Sequence, residues 1–310
     1  MLLAAPHRHV ALVLWSLPRA IPIAALAAVA VLLDWRFELH TSALAVPTGA
    51  LGMAIALFLG FKNNQAYDRF WEGRKIWGAI VNVSRTFAVS VVDFVEAPDD
   101  GGLEPGELDR IRRELVLRHL AWINALRLSL RRQFDWDDVL APYLSRDELV
   151  EVKGCPNVPN HLLRTQSARI ESLVRMGIIR GTTRHLELRT MVRFMWDHQG
   201  GCERIKSTPL LPHYTTASTV FVWIFIVMLP FSILDVIGGV GIWMVVPIST
   251  LIGWVYETTN RLGQLTADPF DGQPTDVAMT AICRTIEIDL RPLVGDPAPT
   301  AHVPSGLVLD

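Results

Sequence analysis

Charge of either sign is scarce in this chain. Only 19% of its 310 residues are Asp, Glu, Lys or Arg, and 50% are hydrophobic, too apolar for an average soluble protein. The formal net charge of -2 argues against a nucleic-acid binder, which shows a basic surplus, so no nucleic-acid partner is expected. Cysteine is scarcer still. Cys155, Cys202 and Cys283 are odd in number and widely spaced, with no CxxC or CxxH pair. They predict neither a disulfide framework nor a zinc site, only three reduced thiols. Catalytic signatures are missing too: no HExxH, no GxSxG and no GxxxxGKS/T. The nine His are scattered, and His185 and His198 have no matching acid pattern. No catalytic residue, metal ligand or cofactor is expected, and hence no enzyme. Alternating β patterns are absent.

What the chain does have is length without charge. Thr41 to Phe61, Tyr214 to Leu234 and Val236 to Tyr256 hold no charged residue. Each is long enough for a helix across a hydrocarbon core of about 30 Å. A charge at the helix centre costs roughly 2.5–3.5 kcal/mol on insertion scales, so clean windows of this length are informative. Ala20 to Leu33 is a shorter candidate, with Arg19 placed to snorkel at one end and Asp34 and Trp35 at the other. Alone it reads equally well as a buried helix of a soluble core; beside three stronger windows it reads as a membrane span. Arg8 and Arg19 flank an apolar patch, Val10 to Pro18. No small-x-small site followed by a soluble-looking start is seen, so a retained segment is expected rather than a cleaved signal peptide.

The spans pair as 20–33 with 41–61 and 214–234 with 236–256. The connections within pairs hold one basic residue, Arg36, while the opposite ends carry Arg19, Lys62, Arg69, Arg74, Lys75, Arg204, Lys206 and Arg261. The positive-inside rule then makes those ends and both termini cytoplasmic. Between the pairs lies a polar body, 62–206, with helical periodicity. Phe70, Trp77, Val81, Phe87, Val91 and Val95 mark a first helix, broken at Asp99-Asp100-Gly101-Gly102. Glu104-Pro105-Gly106 opens a second, Leu108 to Arg131, with Ile111, Leu115, Leu120, Ile123 and Leu126. Lys153 to Pro159 is a loop rich in Pro, Asn and Gly. Further helices are expected over 161–176 and 183–205, the latter with a possible break at Gly200-Gly201. Residues 257–292 complete the body and 293–310 form a flexible tail. The whole reads as one unit, 1–310, an all-α membrane protein with four transmembrane helices and a cytosolic helical body.

The stretch FKNNQAYDRFWEGRKIWG, from Phe61 to Gly78, leaves the second span without a turn signal. The span continues, or resumes after a kink near Asn63-Asn64, as a cytosolic helix. Tyr67, Phe70 and Trp71 fall where interfacial aromatics are favoured. Glu72 and Lys75 are spaced for an i,i+3 pair. Within the span, Gly49, Gly52 and Gly60 allow close helix approach. Met53, Leu57 and Phe61 recur at i, i+4 and i+8 and form one ridge. In a single copy such a ridge faces lipid or core. Around a symmetry axis it becomes stacked apolar rings, a constriction that passes or blocks ions by wetting and dewetting. Periodicity does not choose between the two.

FLGFKNNQAYDRFWEGRKIWGAIVN (58–82) resembles the segment that marks the bestrophin family and its bacterial homologues, an LGF-R/K-N tail followed by AYDRWWE-R-WG. QGGCERIKSTPLLPHY (199–214) resembles the family's entry into the third span, and ADPFDGQPTDVAMTAICRTIEIDL (267–290) its post-membrane PF segment and following helix. The similarity covers most of 15–292, in the family's order. It implies a homopentameric ion channel in the bacterial inner membrane, surrounded by lipid and conducting small monovalent inorganic ions. It also implies a hydrophobic pore neck at Met53, Leu57 and Phe61, where Met and Leu partly replace the family's usual Ile/Phe set. A second constriction at the cytosolic mouth, often an Ile, would fall in MGIIRG, at Ile178 or Ile179. The family contains chloride-type anion channels and bacterial relatives that favour monovalent cations, so the sign of the permeant ion stays open.

Calcium-activated members carry an acidic run after the PF pair. Here Asp268, Asp271 and Asp276 are fewer and are broken by Gly and Pro. They read as turn formers and as the N-cap of a helix starting near Thr275, not as a calcium clasp. Two rival functions remain. A secondary transporter would need broken helices with polar groups at mid-membrane; Pro47, Pro230 and Pro247 supply candidate breaks, but the three clean windows hold no mid-span ionisable residue. A membrane-embedded scaffold or enzyme would work through the cytosolic helices.

Overall fold

The computed structural model describes residues 14–98, 104–210, 212–237, 239–273 and 275–300. Arg8, the start of the 10–18 patch, the Asp99–Gly102 break, and the end of the tail lie outside the described residues. Among the described residues the regular structure is helical, with one isolated bridge between Val95 and Ile179. In chain order the helices are α1 (Ala20–Phe37), α2 (Ala45–Phe94), α3 (Glu107–Leu130), α4 (Trp136–Leu140), α5 (Arg146–Lys153), α6 (Val158–Arg175), α7 (Thr182–Ser207), α8 (Pro212–Ile237), α9 (Val245–Leu265) and α10 (Met279–Leu290).

α1 runs four residues past the expected span because nothing stops it before Glu38, which takes a left-handed conformation (φ 50°) and donates its N–H to Asp34 O at 2.7 Å. α2 is continuous for 50 residues, so Asn63-Asn64 introduces no break. Its single proline, Pro47, lies in the first turn, where a missing N–H costs no helical bond. At 1.5 Å per residue such a helix is about 75 Å long, more than twice a hydrocarbon core. α7 likewise passes through Gly200-Gly201 without a break. Asn157 caps α6 by accepting the Asn160 N–H at 3.0 Å, and Ser145 caps α5 through Glu148 N.

The described chain divides into two compact units, 71–208 with 269–300 and 14–70 with 209–268; α2 is shared between them. In the first, α3 packs against α6, α7 and α10. Leu115, Leu120, Trp122, Ile123 and Leu126 of α3 are fully buried together with Trp77 and Phe87 of α2. Arg118 is buried as well, and its guanidinium is shared among Glu114 (2.8 Å), Glu148 (2.5 Å) and Gln166 (3.2 Å). A buried charge is tolerable only with such partners.

In the second unit α9 packs on α1 and α8, and α1 on α8. Ile23, Ile55, Leu59, Val222, Phe225, Ile226 and Leu229 form one apolar cluster, flanked by Trp254 and Tyr256. Among the described residues of the whole chain, three segments are long and apolar enough to cross a membrane: Leu14–Phe37, Ser42–Phe94 and His213–Ile237. α8 holds Pro230 within it and stays continuous. The expected span 236–256 is not one helix. Gly239–Met244 winds as a 3₁₀ segment, and α9 starts at Val245 and runs on to Leu265 through Glu257 and Arg261. The lack of charge over 236–256 reports burial and lipid compatibility, not where a helix begins.

Candidate pore-lining site

α2 has two faces in the second unit. One is packed. Gly52 lies against Phe225 so closely that a Cβ there would stand 2.8 Å from the ring's Cε2, and Tyr256 donates its hydroxyl to Gly52 O at 3.1 Å. One turn on, Ile55 and Leu59 enter the apolar cluster. Further on, Asn63 Nδ2 donates to Thr259 O at 3.1 Å and Arg69 Nε to Ala267 O at 2.8 Å. This face thus passes from a close glycine contact through large apolar side chains to paired polar ones.

The other face is bare. Met53, Leu57 and Phe61 are 71%, 60% and 66% exposed. They are spaced by about 6 Å per four residues along the helix. Gly49, one turn before this run, and Gly60, just before its last member, have nothing within 4 Å of a built Cβ. Met53, Leu57 and Phe61 thus form an exposed apolar ridge along α2. Tyr67 and Trp71 are exposed further along the same helix.

Lys62, next to Phe61 in sequence, points the opposite way and is 3% exposed. Its ammonium donates to Ser218 Oγ (3.1 Å), Asn260 O (3.2 Å) and Asn260 Oδ1. Sequence reasoning counted Lys62 only as one of the charges at the cytoplasmic end. The available signal was only the lysine's place directly after an apolar run.

Ile178 and Ile179 do not join this surface. Both are 2% exposed, inside the first unit, where Glu96 N donates to Ile178 O at 3.0 Å and Val95 bridges Ile179. Within a single chain both side chains are enclosed rather than exposed. The expected Glu72–Lys75 pair gives way to Glu72–Arg204, because the i,i+3 partner competes with a cation brought by α7. His185 lies 3.2 Å from Glu171, a pairing between helices that spacing does not reveal.

The acidic residues after the PF pair are dispersed among separate tasks. Asp271 pairs with Lys206, and Asp276 is buried and accepts the Gln273 N–H at 2.9 Å. α10 begins at Met279 with Ala278 at its N-cap, so none of the three aspartates caps it. The turn at 275–277 consumes the residues that were expected to start the helix.

Residues 6–292 match the family described as Bacterial/Fungal Bestrophin protein. The voltage-dependent anion channel-forming protein YneE of Salmonella typhi is 33% identical over 264 residues, 85% of this chain and 81% of that one. YneE of Escherichia coli K12 is 30% identical over 284 residues, covering 91% and 86%. The crystal structure of a bacterial bestrophin homologue from Klebsiella pneumoniae superposes with a TM-score of 0.80 at 24% identity, over 91% of this chain and 99% of that one.

Proposed function

This chain belongs to the bacterial and fungal bestrophin family, a family of membrane channels and not of enzymes, and from that premise we propose that it conducts small inorganic anions, chloride the simplest, passively across the bacterial inner membrane. The observation that carries this reading is the bare ridge of Met53, Leu57 and Phe61, opposite a face of α2 that is fully packed. Copies of the chain, five by the family resemblance, close around an axis with this ridge inward. Their apolar rings then make a narrow neck that opens by wetting. The anion assignment is supported by the names of the similar proteins in Salmonella and E. coli, which form voltage-dependent anion channels.

The four-span arrangement places α1, the first part of α2, α8 and α9 in the bilayer, with both termini cytoplasmic. The asymmetry of Lys and Arg supports that orientation. A transporter reading draws no support from the prolines. Pro47 and Pro247 lie in the first turns of α2 and α9, and Pro230 leaves α8 continuous although it offers no N–H to Ile226 O, so none of the three splits a span into half-helices.

The test is planar-bilayer recording of the purified full-length protein in asymmetric NaCl. Discrete openings that reverse near the chloride equilibrium potential are expected. Reversal near the sodium potential overturns the anion assignment, and absence of unitary openings overturns the channel.

A further inference from the structure

We infer that Lys62 is the fixed charge that biases the neck toward anions, a specificity-determining residue set behind the pore surface rather than on it. This rests on the channel reading above. An ionisable side chain buried in a membrane unit is costly and calls for a functional reason. Lys62 is 3% exposed and lies one residue beyond Phe61, the last member of the ridge.

The surroundings of Lys62 are wired for a cation. Ser218 Oγ donates its own proton to Thr215 O at 2.8 Å, so it faces Lys62 as an acceptor only. Asn260 Nδ2 donates to Thr219 Oγ1 at 3.4 Å, which leaves Oδ1 aimed at the ammonium. Gln264 Nε2 holds the same Thr219 hydroxyl at 2.9 Å, and that hydroxyl donates onward to Thr215 O at 3.0 Å. Every proton in the network points away from Lys62, and three oxygens point toward it. Neutral dipoles stabilise the ammonium but do not cancel its charge.

Among the described residues no carboxylate forms an ion pair with Lys62; Glu257 acts on it electrostatically without a hydrogen bond. A charge in a low-dielectric wall projects its field further than one in water. With one such ammonium from each copy, a ring of positive potential would surround the end of an uncharged neck. That favours anions over cations without placing a charged side chain in the path, where it would bind ions too tightly to release them.

The test is the reversal potential of purified full-length variants in asymmetric NaCl. Lys62→Met removes the charge and keeps an unbranched side chain; it is expected to lower the chloride-over-sodium permeability ratio about three- to tenfold. Lys62→Arg is expected to stay within about twofold of the parent. Asn260→Asp keeps Lys62 but seats a carboxylate against its ammonium, and is expected to lower the ratio in the same direction as Lys62→Met. It also decides the matter where Lys62→Met gives no conducting protein. An unchanged ratio in a conducting Lys62→Met, or in Asn260→Asp, overturns the inference. The quantity read is the shift between variant and parent. A parent that prefers cations would therefore refute the anion assignment while leaving the role of Lys62 open to the same measurement.

Discussion

Asn63 Oδ1 occupies the space where a side chain of Gly263 would begin: a Cβ built at position 263 falls 1.8 Å from it. The contact draws α2 and α9 together immediately beyond the bare ridge, beside the Asn63–Thr259 hydrogen bond. Gly263→Ala is expected to destabilise the protein by about 1–3 kcal/mol through overpacking. Thermal unfolding in detergent reads this out. Adding Asn63→Ala should recover part of the loss, because the clashing oxygen is gone; a double variant no more stable than Gly263→Ala would show that the clash is not the cause.

Leu57→Ala trims the middle of the ridge. A wider neck is easier to wet, so unitary current is expected to rise about twofold or more. The measurement is single-channel conductance in symmetric salt. An unaltered conductance removes the ridge from the pore and turns it into a lipid-facing surface.

His119 should make the helical unit acid-sensitive. It is fully buried between Phe87 and Trp122, at ring distances of 5.2 and 5.3 Å, and burial pushes its imidazole down to about 3. A depressed His takes up its proton in the unfolded chain first. Its contribution is therefore complete above the unfolded value of about 6.5 and is lost as pH falls toward 3. The expected slope is about 1 kcal/mol per pH unit below that value. His198, also lowered by burial, adds in the same direction. His119→Phe fits the aromatic surroundings and should flatten the dependence of Tm on pH between 7 and 5. Parallel curves for parent and variant would rule out His119 as the source.

Arg118 holds two carboxylates of the first unit at once. Burial pushes the Glu114 carboxyl up, but hydrogen bonds from Arg118 and Arg169 outweigh it and leave the group below its ordinary value. Arg118→Met fills similar space and abandons Glu148, while Glu114 keeps Arg169, and is expected to cost roughly 3–5 kcal/mol in a denaturant melt. A loss below about 1 kcal/mol would mean that water takes over the pairing.

Much of this was legible without coordinates. Windows free of charge located the membrane helices at 20, 41 and 214, because a charge at mid-span is costly whatever the tertiary context. The steps of four at 53, 57 and 61 defined the ridge, because a helix of 3.6 residues per turn leaves no other arrangement. The start of α9 was not legible, since an uncharged stretch scores alike as α-helix and as the 3₁₀ segment Gly239–Met244. The start of α10 was displaced to Met279 by the turn of Asp276 back onto Gln273, a competition that local propensity does not resolve.

The sequence by itself determined an all-helical membrane protein of the bestrophin family and which side chains line up along α2. Only the tertiary structure decided which face of that helix stays bare, that Ile178 and Ile179 are enclosed, and that Lys62 turns inward to meet Ser218 and Asn260. The physical reason is that periodicity is a property of one helix. Burial, and the partners a buried charge must have, belong to segments that lie 156 and 198 residues apart along the chain.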